Sequence, residues 1–284
     1  MTTLVARLAG PLQSWGVDPR FRVVGTHPTP TWSALLGLCR AAVGHGRTAP
    51  IDDSAWLRSL NMAVRVDQPG QARLDYHTIN PLPEAYLRFR GIDTPADLGV
   101  ITFGEPPSAR GTTRRWVLKK RPGTLVTKRA YLHDAAFAWF IEGPDEMLMR
   151  LGHALTHPRW APALGRKGCP PSGPLVLGLH DGAIAEVAAL IPVLHSAPRS
   201  LRHSSSTSAS ITVPLVWLTP RDAGSGDHSS VVMDVPLGSH PQDGHAGNVH
   251  THASITAPVV AEPWHALLAW ATEHLTQPYL ETGP

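Results

Sequence analysis

The most chemically suggestive residues in this sequence are cations set beside aromatics. Between positions 110 and 129 stand Arg110, Arg114, Arg115, Lys119, Lys120, Arg121, Lys128 and Arg129, and no acid. Such a run suits a phosphate track, because each neutralised phosphate releases counterions and affinity accumulates over several contacts. Arg also grips phosphate with a planar fork and stacks on bases. Trp116 lies inside the run and offers a face to a splayed base. A solvated basic loop has the same composition, so the run alone does not choose between the two.

Three loop segments could share that work. In Gly10–Gly16 the Gly and Pro residues let backbone approach a strand of RNA, and Gln13 carries both donors and acceptors for a base edge. Trp15 either stacks on a base or pins the loop from inside. Thr31, Trp32 and Ser33 mark the start of a helix. Arg166 and Lys167 sit between Gly165 and Gly168, a pattern that forms either a backbone amide cradle for phosphate or a structural turn. It is not a Walker motif, because Gly-Lys-Ser/Thr is absent.

Tyr76 and His77 raise the question of catalysis. Metal-independent RNA cleavage needs a base near the 2′-hydroxyl, and His is the usual choice. His133 and Asp134 are adjacent on an expected strand and point to opposite faces, which makes them poor partners. His240, His245, His250 and His252 are irregularly spaced, with no Cys nearby, in a Gly/Ser/Pro-rich segment that reads as a flexible loop. No metal or cofactor is expected. No Ser-His-Asp elbow or dinucleotide fingerprint is visible.

The elements that would position these residues follow from period and punctuation. Thr3–Leu8 and Met62–Val66 read as strands, and Ser33 to Val43 as a helix stopped by Gly44. Ala130 to Glu142 reads as strand with a continuous apolar run from Ala135 to Ile141. Asp145–Leu155 has an amphipathic helical stripe. Leu175–Leu179, Ile191–Leu194, Ile211–Leu218 and Val231–Val235 read as further strands, and Trp264–Leu275 as a terminal helix. Residues 196–210 and 222–230 read as low-complexity loops. The order strand, helix, strand, long insertion, strand, helix is compatible with a ferredoxin-like βαββαβ unit in an α+β protein.

Composition bounds these readings. The 284 residues include 28 Pro and 25 Gly, with 42% apolar and 17% charged, which points to a loop-rich fold with a real core. Residues 1–140 carry 18 Lys and Arg against 10 Asp and Glu, and residues 141–284 carry 7 against 12. The front half is therefore the half suited to a polyanion. Cys39 and Cys169, the only two cysteines, form no motif. With no signal peptide and no membrane-length apolar run, a soluble cytoplasmic protein is expected.

Five blocks in order carry a family resemblance: Leu8–Gly16, Pro30–Ser33 running into Leu35–Leu38, Asp75–Thr78, Tyr131–Phe137, and Pro158–Pro171. Together they resemble the CasD family, the CRISPR-associated RAMP subunit of type I-E Cascade. The resemblance covers residues 3–175 and fades beyond about residue 180.

It implies a ferredoxin-like (RRM/RAMP) domain over 1–175 with a long β-hairpin thumb at about 79–129. A smaller β-rich region with flexible loops and a terminal helix would follow over 176–284. It implies a non-catalytic subunit that binds crRNA at the 5′ handle and joins the Cascade backbone and large subunits in antiviral defence. Target DNA would be met only through the complex, and no membrane. A repeat-cleaving endoribonuclease using His77 or Tyr76 is the alternative. The family tends to carry a cation where this chain has Trp32, which would shift that contact toward stacking.

Overall fold

The computed structural model describes residues 1–16, 23–46, 49–79, 125–193, 210–218, 228–236, 245–259 and 263–278. Arg110, Arg114, Arg115, Trp116, Lys119, Lys120 and Arg121 lie outside them, as does most of the expected thumb.

The described strands are β1 (Thr2–Ala9), β2 (Leu12–Gln13), β3 (Trp15–Gly16), β4 (Val23–Val24), β5 (Thr26–His27), β6 (Asn61–Gln68), β7 (Gln71–Ile79), β8 (Leu125–His133), β9 (Ala136–Gly143), β10 (Val176–Asp181), β11 (Ser210–Trp217), β12 (His228–Pro236) and β13 (His245–Pro258). The helices are α1 (Trp32–Val43), the single turn α2 (Ala55–Arg58), α3 (Asp145–Thr156), α4 (Ile184–Leu190) and α5 (Pro263–His274). The protein is thus a mixed α/β chain, rich in strands and with few helices.

A seven-stranded sheet in the order β10-β1-β9-β6-β11-β13-β12 organises the molecule. Side chains alternate across a strand, and here both faces are covered. From β9, Phe137, Trp139 and Ile141 join the core that includes α1 and α3, together with Leu4 and Leu8 of β1 and Met62 and Val64 of β6. Ala138 and Phe140 face the other way, with Val5, Ala63 and the apolar sides of α4 and α5. Burial on both faces is why β9 reads as a continuous apolar run rather than an alternation. Full burial of a residue such as Phe140 contributes roughly 1.5–3 kcal/mol.

A second, four-stranded sheet joins β2 and β4 to β8, with β7 paired along β8's other side. β7 and β8 run antiparallel from Gln71 opposite His133 to Ile79 opposite Leu125. Asp134, at φ +53, makes the sharp turn that takes the chain from β8 into β9. The single strand expected from Ala130 to Glu142 is therefore two strands in two sheets.

Other expectations are corrected in detail. The helix start falls at Trp32 with Thr31 as N-cap, and Gly44 at φ +90 ends the helix. Ile184–Leu190 is a helix. Of the strand expected at Ile191–Leu194, only Val193 makes a bridge, to Val259. The segment read as a flexible His-rich loop is, from His245, the 14-residue strand β13, with His250 fully buried. The period-2 signal there is hidden because the alternating residues are His, Thr and Asn rather than aliphatics.

Candidate nucleic-acid interface

The site grows from two loops locked against β8. Gln13, on β2, is buried, and its amide nitrogen donates to the Leu8 carbonyl at 3.2 Å and the Ala135 carbonyl at 2.7 Å. Its oxygen accepts from the Trp15 indole at 3.2 Å. Trp15 is fully buried in the core. Gln13, expected at a base edge, sits inside the protein, and Trp15 takes the second of its two readings, the internal pin. The loop is pinned from within because an unpaired amide there would be costly.

Ser14 carries the connection outward. Its N–H donates to the Leu164 carbonyl at 3.0 Å and its hydroxyl to the Ala130 carbonyl of β8 at 3.2 Å. The 164–169 loop closes on itself through Leu164 N–H to the Cys169 carbonyl (2.7 Å) and Cys169 N–H to the Arg166 carbonyl (2.8 Å). Gly165 stands at φ +89, and a Cβ there would overlap the Ser14 carbonyl oxygen. Only glycine allows this approach, so the turn is structural and at the same time presents Arg166 and the exposed Lys167.

Tyr131 is where these parts meet. It is mostly buried, and its hydroxyl lies 3.1 Å from His77 Nε2. The two rings stack with centroids 6.0 Å apart and 20° between planes. The Arg166 guanidinium carbon lies 5.2 Å from the Tyr131 ring centroid, a favourable cation–π placement. His77 Nε2 is also 3.2 Å from Asp75 Oδ2. Alternation puts Asp75, His77, Arg129 and Tyr131 on one face of the β7–β8 pair.

The other face carries Tyr76, 63% exposed, with Lys128 Nζ 5.0 Å from its ring centroid. Exposed Leu74 and Val126 flank it.

Thr31 and Trp32 at the start of α1 are buried, and Ser33 is half-buried. Trp32 packs into the core beneath α1, so its ring is placed as a helix anchor. Sequence reasoning placed Tyr131 only in a family block and did not name it at the site. The available signal was its position two residues after Arg129 on a strand.

Cys39 and Cys169 are both free and buried, and burial raises both thiols above their ordinary range, which leaves them unreactive. Among the described residues no group of three His, Cys, Asp or Glu could hold a metal ion. None of the described helices is long and apolar enough to cross a membrane.

Comparison with known proteins agrees with this arrangement. The CRISPR system Cascade subunit CasD of Escherichia coli (strain K12) is 33% identical over 201 residues, which cover 66% of this chain and 75% of that protein. A chain of a CRISPR RNA-guided surveillance complex matches with a TM-score of 0.66 and 28% identity, over 95% of this chain and 99% of that one. A crystal structure of a Cas protein matches at TM-score 0.55 and 25% identity, over 97% and 98%. The profile of the family described as CRISPR-associated protein (Cas_Cas5) matches residues 3–251, well past the last of the five sequence blocks. With the family profile, the sequence match and the whole-chain structural likeness in agreement, the chain belongs to the Cas5 family of CRISPR-associated proteins.

Proposed function

We propose that this chain is a non-catalytic crRNA-binding subunit of a Cascade-type surveillance complex, holding the 5′ handle beside the backbone and large subunits. One observation carries the reading. In a chain one-third identical to Cascade subunit CasD, Tyr131 gathers His77 and Arg166 at one face of the antiparallel β7–β8 pair whose other face bears Tyr76 and Lys128. Aromatic faces next to fixed cations are what a single RNA strand needs, with bases stacking and phosphates paired. Gln13, Trp15, Thr31 and Trp32 serve that surface by fixing its loops. Target DNA is met through the assembled complex.

The strand order β10-β1-β9-β6, with α1 between β1 and β6 and α3 between β9 and β10, supports a ferredoxin-like unit. Its last strand is Val176–Asp181, just beyond the first 175 residues. The antiparallel β7–β8 pair is the base from which a thumb spanning the interval between them would extend. A cytoplasmic setting suits two buried free thiols.

A binding role for His77 is favoured over a catalytic one by its Nε2, already facing both Tyr131 and Asp75. A general base must instead present that nitrogen to the 2′-hydroxyl. Co-purification with the partner subunits and sequencing of the bound RNA should return crRNA with one defined 5′ end. Random ends would refute the proposal. Cleavage of repeat RNA by the isolated chain in chelator, lost in His77→Ala, would establish the endoribonuclease instead.

A further inference from the structure

Among the described residues, Arg129 Nε on β8 and Arg166 Nη1 on the loop packed against β8 are buried guanidinium nitrogens without a hydrogen-bond partner. Arg129 precedes Tyr131 by two residues on β8, so their side chains leave the strand on the same face. Arg166 reaches the Tyr131 ring from the 164–169 loop. The acid opposite Arg129 in the ladder is Asp75, and its carboxylate lies 3.2 Å from His77.

We infer that Arg129 and Arg166 hold a single phosphodiester of the bound RNA between them, and that Tyr131 is the positioning residue that aims Arg166. A buried donor without an acceptor is costly, and a phosphate that accepted from both arginines would remove that cost through charge-assisted bonds. The loop that carries Arg166 and the ring beneath it are fixed before RNA arrives. Gly165 seats the Arg166 loop against Ser14, and Ser14 is tied to both Leu164 and Ala130. The hydroxyl of Tyr131 fixes its ring against His77. Preorganisation of this kind lowers the ordering cost of binding.

The inference rests on the RNA-binding reading, and the test separates the two. The full-length chain is bound to single-stranded RNA of the cognate CRISPR repeat, in which one phosphodiester at a time is replaced by an uncharged methylphosphonate. In the unaltered chain, one linkage should weaken binding about tenfold when neutralised, the equivalent of one lost charge-assisted contact. In Arg129→Ala and in Arg166→Ala that linkage should lose its effect, and the slope of log affinity against log salt should fall by about 0.7.

Tyr131→Phe keeps the ring under Arg166 and should retain the linkage effect, whereas Tyr131→Leu should lose it. Should Tyr131→Leu fail to fold, the arginine variants still decide. A sensitive linkage that persists in both arginine variants overturns the phosphate site while leaving RNA binding intact. Failure of the unaltered chain to retain the RNA overturns the RNA-binding reading and this inference with it.

Discussion

Arg65 and Asp67, two residues apart on β6, form a fully buried ion pair, with Arg65 Nε 2.5 Å from Asp67 Oδ1 and Nη2 3.0 Å from Oδ2. The remaining guanidinium donors cap the end of α4, bonding the carbonyls of Ala188 at 2.6 Å, Ile191 at 2.7 Å and Pro192 at 3.0 Å. One side chain thereby ties the chain after residue 180 to the central sheet. Asp67 also attracts Arg7, partly offsetting the burial that lowers the Arg7 guanidinium below its ordinary range.

Arg65→Ala should therefore destabilise the protein by roughly 3–5 kcal/mol, the cost of stranding a buried charge and three carbonyls. Arg65→Lys should rescue little, because an ammonium cannot reproduce the fork. Urea denaturation of both variants checks this. A loss below about 1 kcal/mol in Arg65→Ala would contradict the capping role.

Gly165→Ala and Gly168→Ala form a matched pair. At Gly165 the new methyl meets the Ser14 carbonyl at a positive φ, whereas nothing lies within 4 Å of a Cβ at Gly168. Gly165→Ala should cost about 1–3 kcal/mol and weaken binding of repeat RNA as Arg166 shifts. Gly168→Ala should leave both within error. Thermal unfolding and fluorescence anisotropy on the two variants settle the comparison.

Gln13→Leu removes three hydrogen bonds at a fully buried position and leaves the Trp15 indole N–H and the Ala135 carbonyl without partners. A loss of about 2–3 kcal/mol is expected, and repeat-RNA affinity should fall with it as the loop beside Ser14 loosens. A selective loss of RNA affinity without loss of stability would return Gln13 to the RNA surface.

Tyr76→Ala should behave in the opposite way. The ring is exposed and, among the described residues, meets Lys128, so stability should move by less than about 0.5 kcal/mol. RNA affinity should fall by about 1–3 kcal/mol if a base stacks on it. Lys128→Gln should flatten the salt dependence by about 0.7 per lost phosphate contact. Titrations at several salt concentrations read both effects.

The local elements and the family can be read from neighbouring residues alone. β1, β6, α1, α3 and α5 were legible because the apolar period and the stop at Gly44 are carried by neighbouring residues. The five ordered blocks specified the relatives because motif order is a property of the chain. The face each side chain takes, and what stands across from it, come from the folded chain. Gln13 and Trp15 look like base readers in a Gly-rich string, yet a residue 122 positions away, Ala135, claims the Gln13 amide. Asp134 splits one apparent strand between two sheets. His250, in a polar string, is buried because β13 pairs with β11 and β12. Tyr131 gains its role from His77, 54 residues before it, and Arg166, 35 after. Such contacts are set by sheet register and loop closure, and no local period encodes either.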